Sequence, residues 1–261
     1  MKSTQLLELY NKSSKHSHYQ LLASPLKSLI PDRVDHVRSR RERERLDFML
    51  QYLPVEGLEV ADIGGNTGFF TLELLQRGAK SALFIEGNEA HSSFVQQAAG
   101  ALGWQDRVTV YPRYFDFKED LKNFYADATL LLNVLHHVGD DYGDKKISRE
   151  EAKKSILSSL GRMAYKTRYL FFQMGYNWKG DVERPLFDRG TKEEMINFIR
   201  RGTRTSWSIE RIGIAEMENG RIAYKSPDAK NLKRSDELGE FLNRPIFLMK
   251  SKLVHSNTGR I

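Results

Sequence analysis

The sequence predicts an α/β fold with a doubly wound, Rossmann-like sheet that is mostly parallel, plus an antiparallel C-terminal strand and an N-terminal helical extension. From about residue 58, short apolar runs alternate with helix-compatible stretches, and such alternation implies crossover helices covering both faces of a parallel sheet. The last apolar runs are instead joined by a turn signal, which is typical of antiparallel strands. We place the extension at residues 1–54 and the main domain at residues 55–261.

Composition favours one large domain with appendages. The chain has 261 residues, of which 40% are hydrophobic, enough to bury a sizeable core. No apolar run approaches the roughly 20 residues that span a bilayer, and the first residues lack the apolar core of a secretory signal, so we expect a cytoplasmic protein. The absence of cysteine excludes disulfides, thiolate metal sites and thiol nucleophiles. The net charge of +7 indicates an anionic partner: nucleic acid, a phosphorylated glycan or, peripherally, a membrane surface.

The elements follow in order along the chain. Asp32 is a candidate helix cap, and an intermittent apolar stripe up to Leu53 predicts a helix leading into the sheet. Within it, Arg38–Arg45 interleaves arginine with glutamate, which is typical of a solvated, ion-paired helix face. Five apolar runs then predict strands at Leu58–Ile63, Ser81–Ile85, Arg107–Tyr111, Ala128–Val134 and Tyr169–Gln173.

Helix and turn signals complete the pattern. Helix-compatible stretches cover Phe69–Arg77 and about Asn88–Leu102. Capping-box spacing predicts two further helix starts, at Ser148/Glu151 and Thr191/Glu194. The last strands are predicted at Ser206–Met217 and Pro245–Met249. Asn219-Gly220 is a hairpin turn signal, so that Gly220–Tyr224 is either a returning arm or part of a loop.

A glycine-rich loop follows the first strand, in the order Asp62, Gly64, Gly65, Asn66, Gly68. Small residues let the backbone turn tightly, and ligands of open α/β sheets bind beyond the carboxyl ends of the strands. Glu86 ends the second strand, 24 positions after Asp62, where a carboxylate can accept hydrogen bonds from both hydroxyls of a ribose. The loop lacks the G-x-G-x-x-G pattern that holds a pyrophosphate, which favours an adenosyl cofactor over a nicotinamide dinucleotide.

Residues 55–175 resemble the class I S-adenosylmethionine-dependent methyltransferases, through VADIGGNTGFFT, FIEGNEA and Asn133-Val-Leu-His-His137. The resemblance implies S-adenosylmethionine as the cofactor. It further implies a set of cofactor-binding residues: Asp62, Gly64, Gly65, Asn66, Gly68, Glu86, Asp116 and Asn133. In the family pattern Asp62 and the loop face the methionine end, Glu86 the ribose and Asp116 the adenine. An ordinary surface-loop aspartate is the alternative for Asp116.

Two histidines after the fourth strand are the candidate catalytic residues. A neutral histidine is suited to remove the proton of a hydroxyl acceptor near pH 7, so we predict His137, or else His136, as the base. Packing into the sheet is the alternative for either. The segment Gly139–Asp144 carries carboxylates that could bind Mg²⁺ together with a histidine. A polar loop is the commoner interpretation, and we assign no metal site.

Residues 11–20, NKSSKHSHYQ, are dense in hydrogen-bond donors and in aromatic or imidazole groups. This favours a lid in which Lys15, His16, Tyr19 and Gln20 contact the substrate, with a disordered polar leader as the alternative. The stretch is similar to one in bacterial O-antigen chain-terminating methyltransferases, some of which methylate a phosphate on the terminal sugar. Arg184 would add an anion-binding fork.

Together these features predict an S-adenosylmethionine-dependent methyltransferase acting on an oxygen of a bacterial surface-glycan precursor or a related small polar molecule. That oxygen belongs to a hydroxyl or to a phosphate, and a phosphate would need no strong base. An RNA methyltransferase is one alternative, although no RNA-binding module or Pro-Pro-Tyr signature is present. A non-catalytic cofactor-binding module of the same fold is the other.

Overall fold

The structure, a computed structural model, describes residues 3–12, 19–30 and 37–254. Contacts between residues divide the chain into a first unit, Met1–Phe115, and a second unit, Asp116–Ile261. The predicted boundary at residue 54, between the N-terminal extension and the main domain, does not coincide with this division and stays a prediction. Among the described residues, no helix combines the length and the apolar character needed to cross a membrane.

Three parallel strands form the sheet of the first unit. The middle strand, β2 (Ser81–Ile85), pairs with β1 (Glu59–Ile63) on one side and with β3 (Val108–Tyr111) on the other. The last residues of β1 and β2 lie opposite each other, so the two strands end at the same edge. The residues that follow them along the chain therefore begin at a common edge of the sheet.

The α-helices in the described residues of this unit are α1 (Ser3–Asn11), α2 (Glu42–Tyr52), α3 (Phe69–Gln76) and α4 (Glu89–Ala101). The helices α3 and α4 match the two helical stretches predicted from the sequence. The side-chain oxygen of Asn88 accepts the amides of the first turn of α4. Packing of α1 on α4 buries Tyr10 against Phe94, with 5.3 Å between the ring centres.

The helix predicted from Asp32 to Leu53 is wrong in its first part. Residues 31–36 lie outside the described residues, and residues 37–41 are not helical. The Glu42 carboxylate accepts the Ser39 hydroxyl at 2.7 Å and the Arg40 amide at 2.8 Å, and this side-chain turn replaces a helical one. The prediction of a solvated helix face is also wrong for Glu42 and Arg45, because both side chains are buried.

The second unit joins parallel and antiparallel strands. Its first pair, β4 (Ala126–Leu132) and β5 (Thr167–Gln173), is parallel. The other strands, in chain order, are β6 (Trp207–Glu218), β7 (Arg221–Lys225) and β8 (Ile246–Ser251). Their order from β4 is β4-β5-β8-β6-β7, and every pairing beyond β5 is antiparallel. One antiparallel strand was expected, whereas three are present.

The hairpin signal explains one of these extra strands. Asn219 and Gly220 both have left-handed backbones, with φ of 50° and 77°, as a tight two-residue hairpin turn requires. The segment after the turn pairs with β6 and is therefore a hairpin arm, not a loop.

The helices of this unit are α5 (Arg149–Met163), α6 (Lys192–Thr203) and the short α7 (Gly239–Leu242). The predicted capping box of Ser148 and Glu151 starts α5, and the Thr191 hydroxyl accepts the Glu194 amide at the start of α6. Buried aromatic side chains, Phe171, Phe172, Trp207 and Phe247 among them, fill the core of the unit. The predicted α/β class is confirmed.

Candidate functional site

The glycine-rich loop of the first unit is anchored by Glu86. One oxygen of this half-buried carboxylate accepts the Asn66 amide and the other accepts the Asn88 amide, each at 2.8 Å. The carboxylate therefore joins the loop after β1 to the turn after β2.

The loop backbone is left-handed at Gly64, Asn66 and Gly68, with φ of 72°, 55° and 73°. Only Gly64 of the three loop glycines is exposed. A Cβ atom at Gly65 would lie 2.3 Å from the Phe84 ring, and one at Gly68 would lie 2.6 Å from Val95. Close packing against β2 and α4 thus requires Gly65 and Gly68, and Gly64 is the glycine that faces outwards.

Asp62 is buried beneath the loop, with 3% of its surface exposed. The Thr71 hydroxyl donates to its Oδ2 at 2.8 Å. Burial raises the pKa of Asp62 to about 6, and the charge of Glu86 also raises this pKa, whereas the Thr71 bond and the charge of Arg45 lower it. A cationic group bound here would favour the ionised carboxylate.

Arg45 is a neighbour of Asp62 that was missed from the sequence. It is 3% exposed, its guanidinium lies 5.0 Å from the centre of the Phe70 ring, and its Nη2 lies 3.4 Å from the Glu42 carboxylate. The alternating charges of Arg38–Arg45 predicted a solvated position for Arg45 instead of a buried one. A signal does exist, since Glu42, Arg45 and the buried Met49 have the i, i+3, i+7 spacing of one helix face.

Gln20, predicted to contact substrate, lies against the glycine-rich loop. Its Oε1 accepts the Phe69 amide at 3.2 Å and the Thr67 hydroxyl at 3.3 Å. Because Gly68 at the start of α3 has no side chain, Gln20 supplies the missing cap from a distant part of the chain.

Of the other predicted substrate contacts in the N-terminal segment, Tyr19 lies within the described residues. Lys15 and His16 lie outside the described residues. Tyr19 is half-buried, and the Arg40 guanidinium lies 4.1 Å above its ring. The role of this segment in binding an acceptor stays a prediction.

In the second unit Asn133 follows β4 with a left-handed φ of 63°. Its side-chain nitrogen donates to Gln173 Oε1 at 3.0 Å, and its oxygen accepts from Arg244 Nη1 at 2.8 Å. Arg244 is 8% exposed and also donates from Nε to Glu240 at 3.0 Å. Gln173 ends β5 and Arg244 precedes β8, so three strands hold Asn133 in place.

The two predicted histidines have different surroundings. His136 is 2% exposed, and its Nδ1 accepts the Gly175 amide at 3.2 Å, so its neutral form carries the proton on Nε2. His137 is half-buried, and its Nδ1 lies 3.4 Å from Asp141 Oδ2 and 4.0 Å from Asp140 Oδ2. A carboxylate beside Nδ1 favours the proton there and leaves Nε2 as the acceptor nitrogen, and the role of His137 as a base stays a prediction.

His137, Asp140 and Asp141 are also a candidate metal centre within the described part of the chain. One ligand atom from each lies within 4.8 Å of the others. One imidazole nitrogen and two carboxylate oxygens suit a divalent ion such as Mn²⁺ or Zn²⁺. The assignment without metal and the Mg²⁺ alternative both stay predictions.

Asp116 and Arg184 lie on surface turns of the second unit. Asp116 is exposed, and the amides of Glu119 and Lys118, donating to its Oδ1, hold its pKa below the usual range. This geometry supports the surface-loop alternative for Asp116, whose contact with adenine stays a prediction. Arg184 is exposed and its Nε lies 3.2 Å from Asp181 Oδ2.

Comparison with known proteins gives a likeness in structure alone. No protein-family model and no curated protein sequence matches this chain. It is similar to the bifunctional kinase-methyltransferase WbdD, with a TM-score of 0.56 and 15% identity over 94% of this chain and 46% of that one. A second WbdD structure gives 0.56 and 16% over 93% and 40%. Magnesium protoporphyrin IX methyltransferase from Synechocystis PCC 6803, with bound cofactor, gives 0.49 and 17% over 80% and 78%.

The chain has the class I methyltransferase fold. The likeness to WbdD extends over both units, and it confirms the fold expected from the resemblance of residues 55–175. This chain spans less than half the length of WbdD. At such low identity the likeness concerns the fold, and the reaction has to be argued from the residues of this chain.

The raised pKa of Asp62 predicts a pH-dependent contribution to stability. The folded pKa is about 6, above the ordinary value of an aspartate, so between these two values the folded state keeps a proton that the unfolded state has lost. The resulting stabilisation is present below pH 4 and is lost as the pH rises through 6, by about 3 kcal/mol. Asp62→Asn should abolish it. Urea unfolding of both proteins from pH 4 to 7 measures the difference in free energy of unfolding, and a constant difference would contradict the raised pKa.

Proposed function

We propose that this protein is an S-adenosylmethionine-dependent methyltransferase that modifies an oxygen of a bacterial surface-glycan precursor or a related small polar molecule. The observation that supports the cofactor most is the Glu86 carboxylate, which is tied to the glycine-rich loop where β1 and β2 end together. A carboxylate at this place suits the two adjacent hydroxyls of a ribose.

The charges of the first unit fit the other end of such a cofactor. Asp62 has a raised pKa, and a bound ammonium group would stabilise its ionised form. Arg45 provides a buried positive charge near Asp62, and it suits a carboxylate. The amino and carboxylate groups of a methionine end would thus both find partners. S-adenosylmethionine supplies a methyl carbon activated by a sulfonium.

His137 is the proposed base for a hydroxyl acceptor. Asp141 lies beside Nδ1 and would hold the proton there, so that Nε2 removes the hydroxyl proton. For a phosphate acceptor, which is already anionic, the doubly protonated form of the same histidine would donate a hydrogen bond from Nε2 and position the acceptor. His136 then has a packing role, which its bond with Gly175 supports.

The acceptor class is supported by the N-terminal segment. Residues 11–20 resemble a stretch of the O-antigen chain-terminating methyltransferases, and Gln20 lies against the cofactor loop. We therefore retain Lys15, His16, Tyr19 and Gln20 as proposed acceptor contacts, with Arg184 as a further anion-binding group.

Glu86→Ala should weaken the binding of S-adenosylmethionine by about 100-fold, because hydrogen bonds to a charged group are lost and the loop amide loses its partner. Isothermal titration calorimetry measures the change. Glu89→Ala removes an exposed carboxylate three residues further on and is the matched control, with affinity expected within twofold of wild type. If wild type does not bind the cofactor, or if both variants bind equally, the cofactor assignment is wrong.

A transfer assay with labelled donor, offering nucleotide sugars, lipid-linked glycans and total RNA, identifies the acceptor. Labelling of RNA alone would replace the glycan assignment. With a hydroxyl acceptor, His137→Ala should lower kcat by about 100-fold while cofactor affinity stays within twofold. Asp144→Asn, in the same loop but outside the His137 cluster, is the control.

Two results would reassign His137. Equal losses of turnover and cofactor affinity would indicate a structural role. Turnover that is abolished by a chelator and restored by a divalent ion would assign His137, Asp140 and Asp141 to a metal.

A further inference from the structure

A groove of about 540 Å³ lies beside α5 and α6 in the second unit. Its apolar part contains Phe187 and Phe198, whose rings meet edge to face with 5.3 Å between their centres. Gly202 on α6 lets the two helices approach closely, because a Cβ there would lie 2.3 Å from Leu157. The volume is within the range of small-molecule sites, about 300–1,000 Å³.

The groove is lined by three cations and one carboxylate: Lys153, Arg189, Arg201 and Glu194. Lys153 is paired with Glu150 at 3.0 Å, and one Glu194 oxygen accepts the Arg189 amide at 3.0 Å. Within the described part of the chain, the guanidinium groups of Arg189 and Arg201 have neither an ion pair nor a hydrogen bond. Two exposed arginines therefore present unused donors at a partly aromatic groove.

We propose that this groove binds a nucleoside diphosphate. The planar forks of Arg189 and Arg201 match the oxygens of phosphate groups, and the half-buried Phe198 ring offers a surface on which a base stacks. Glu194 favours a ligand that also carries hydrogen-bond donors, as a ribose and a base do, and it disfavours phosphate alone. None of these residues belongs to the proposed cofactor or acceptor set, so we propose the groove as a further binding site.

Titration of the full chain with uridine diphosphate at 0.15 M salt tests this site. Arg201→Glu should weaken binding at least tenfold, because it places a negative charge at the phosphates. Arg200→Glu makes the same charge change at the neighbouring exposed position of α6, outside the groove lining, and should change the affinity less than threefold. Absence of binding to wild type, or equal losses in the two variants, would overturn the proposal.

Further titrations identify what the groove recognises. Phe198→Leu should weaken uridine diphosphate several-fold and leave inorganic pyrophosphate unchanged, and wild type should bind pyrophosphate at least tenfold more weakly than the nucleotide. Equal affinity for pyrophosphate, or binding of an RNA oligonucleotide without binding of the nucleotide, would overturn the assignment. A sugar-linked uridine diphosphate that binds more tightly than the nucleotide would show that the groove takes the nucleotide as part of a sugar donor.

Saturating S-adenosylmethionine should leave the nucleotide affinity unchanged. Competition would place the nucleotide at the cofactor residues and overturn the separate site. Because the titration measures nucleotide binding and needs no methyl transfer, its result can be interpreted even if the protein is not a methyltransferase.

Discussion

Two backbone amides, those of Asn66 and Asn88, donate to one carboxylate at the common end of β1 and β2. Each amide belongs to a turn that leaves a strand, so loss of the Glu86 carboxylate would leave both donors without their partner and release both turns. The Ile85 carbonyl accepts the amides of Gly64 and Gly65 and so holds the same loop from the end of β2. The proposed cofactor contacts are therefore a consequence of how the loop is held.

A second constraint is the burial of opposite charges under that loop. Asp62 and Arg45 are both 3% exposed, and desolvation disfavours the charged form of the carboxylate. Such burial costs stability in the free chain, where Glu42 already pairs with Arg45, and a zwitterionic ligand group that paired with Asp62 and shared Arg45 with Glu42 would offset part of that cost. This arrangement supports a binding role for the loop over a purely structural turn.

The sequence was sufficient to predict those features that depend on residues close together in the chain. The ends of β1 and β2, the Asp62-first loop, the position of Glu86 and the helix starts at Ser148 and Thr191 depend on neighbouring residues, and local spacing predicted them. The predicted end of the fourth strand at Val134 is wrong, because β4 ends at Leu132 and Asn133 has a left-handed backbone. The helix start near Asp32 failed because the side chain of Glu42 closes a turn that no periodicity records. The contact of Arg244 with Asn133 could not be predicted from local spacing, because the two residues are 111 positions apart in the chain. The histidine pair was found, but only the structure distinguishes His137 beside Asp141 from the buried His136.

The fold is shared with enzymes of different chemistry, so the binding of S-adenosylmethionine has to be tested at the glycine-rich loop rather than inferred from the sheet. Titration of ¹⁵N-labelled protein with S-adenosylmethionine, followed by amide chemical shifts, tests it most directly. We expect the largest changes at the amides of Asn66 and Asn88, which donate to Glu86, and at the amide of Gly64, the exposed glycine of the loop. Saturating cofactor that leaves these three amides unperturbed, or that perturbs only amides elsewhere in the chain, would contradict the account.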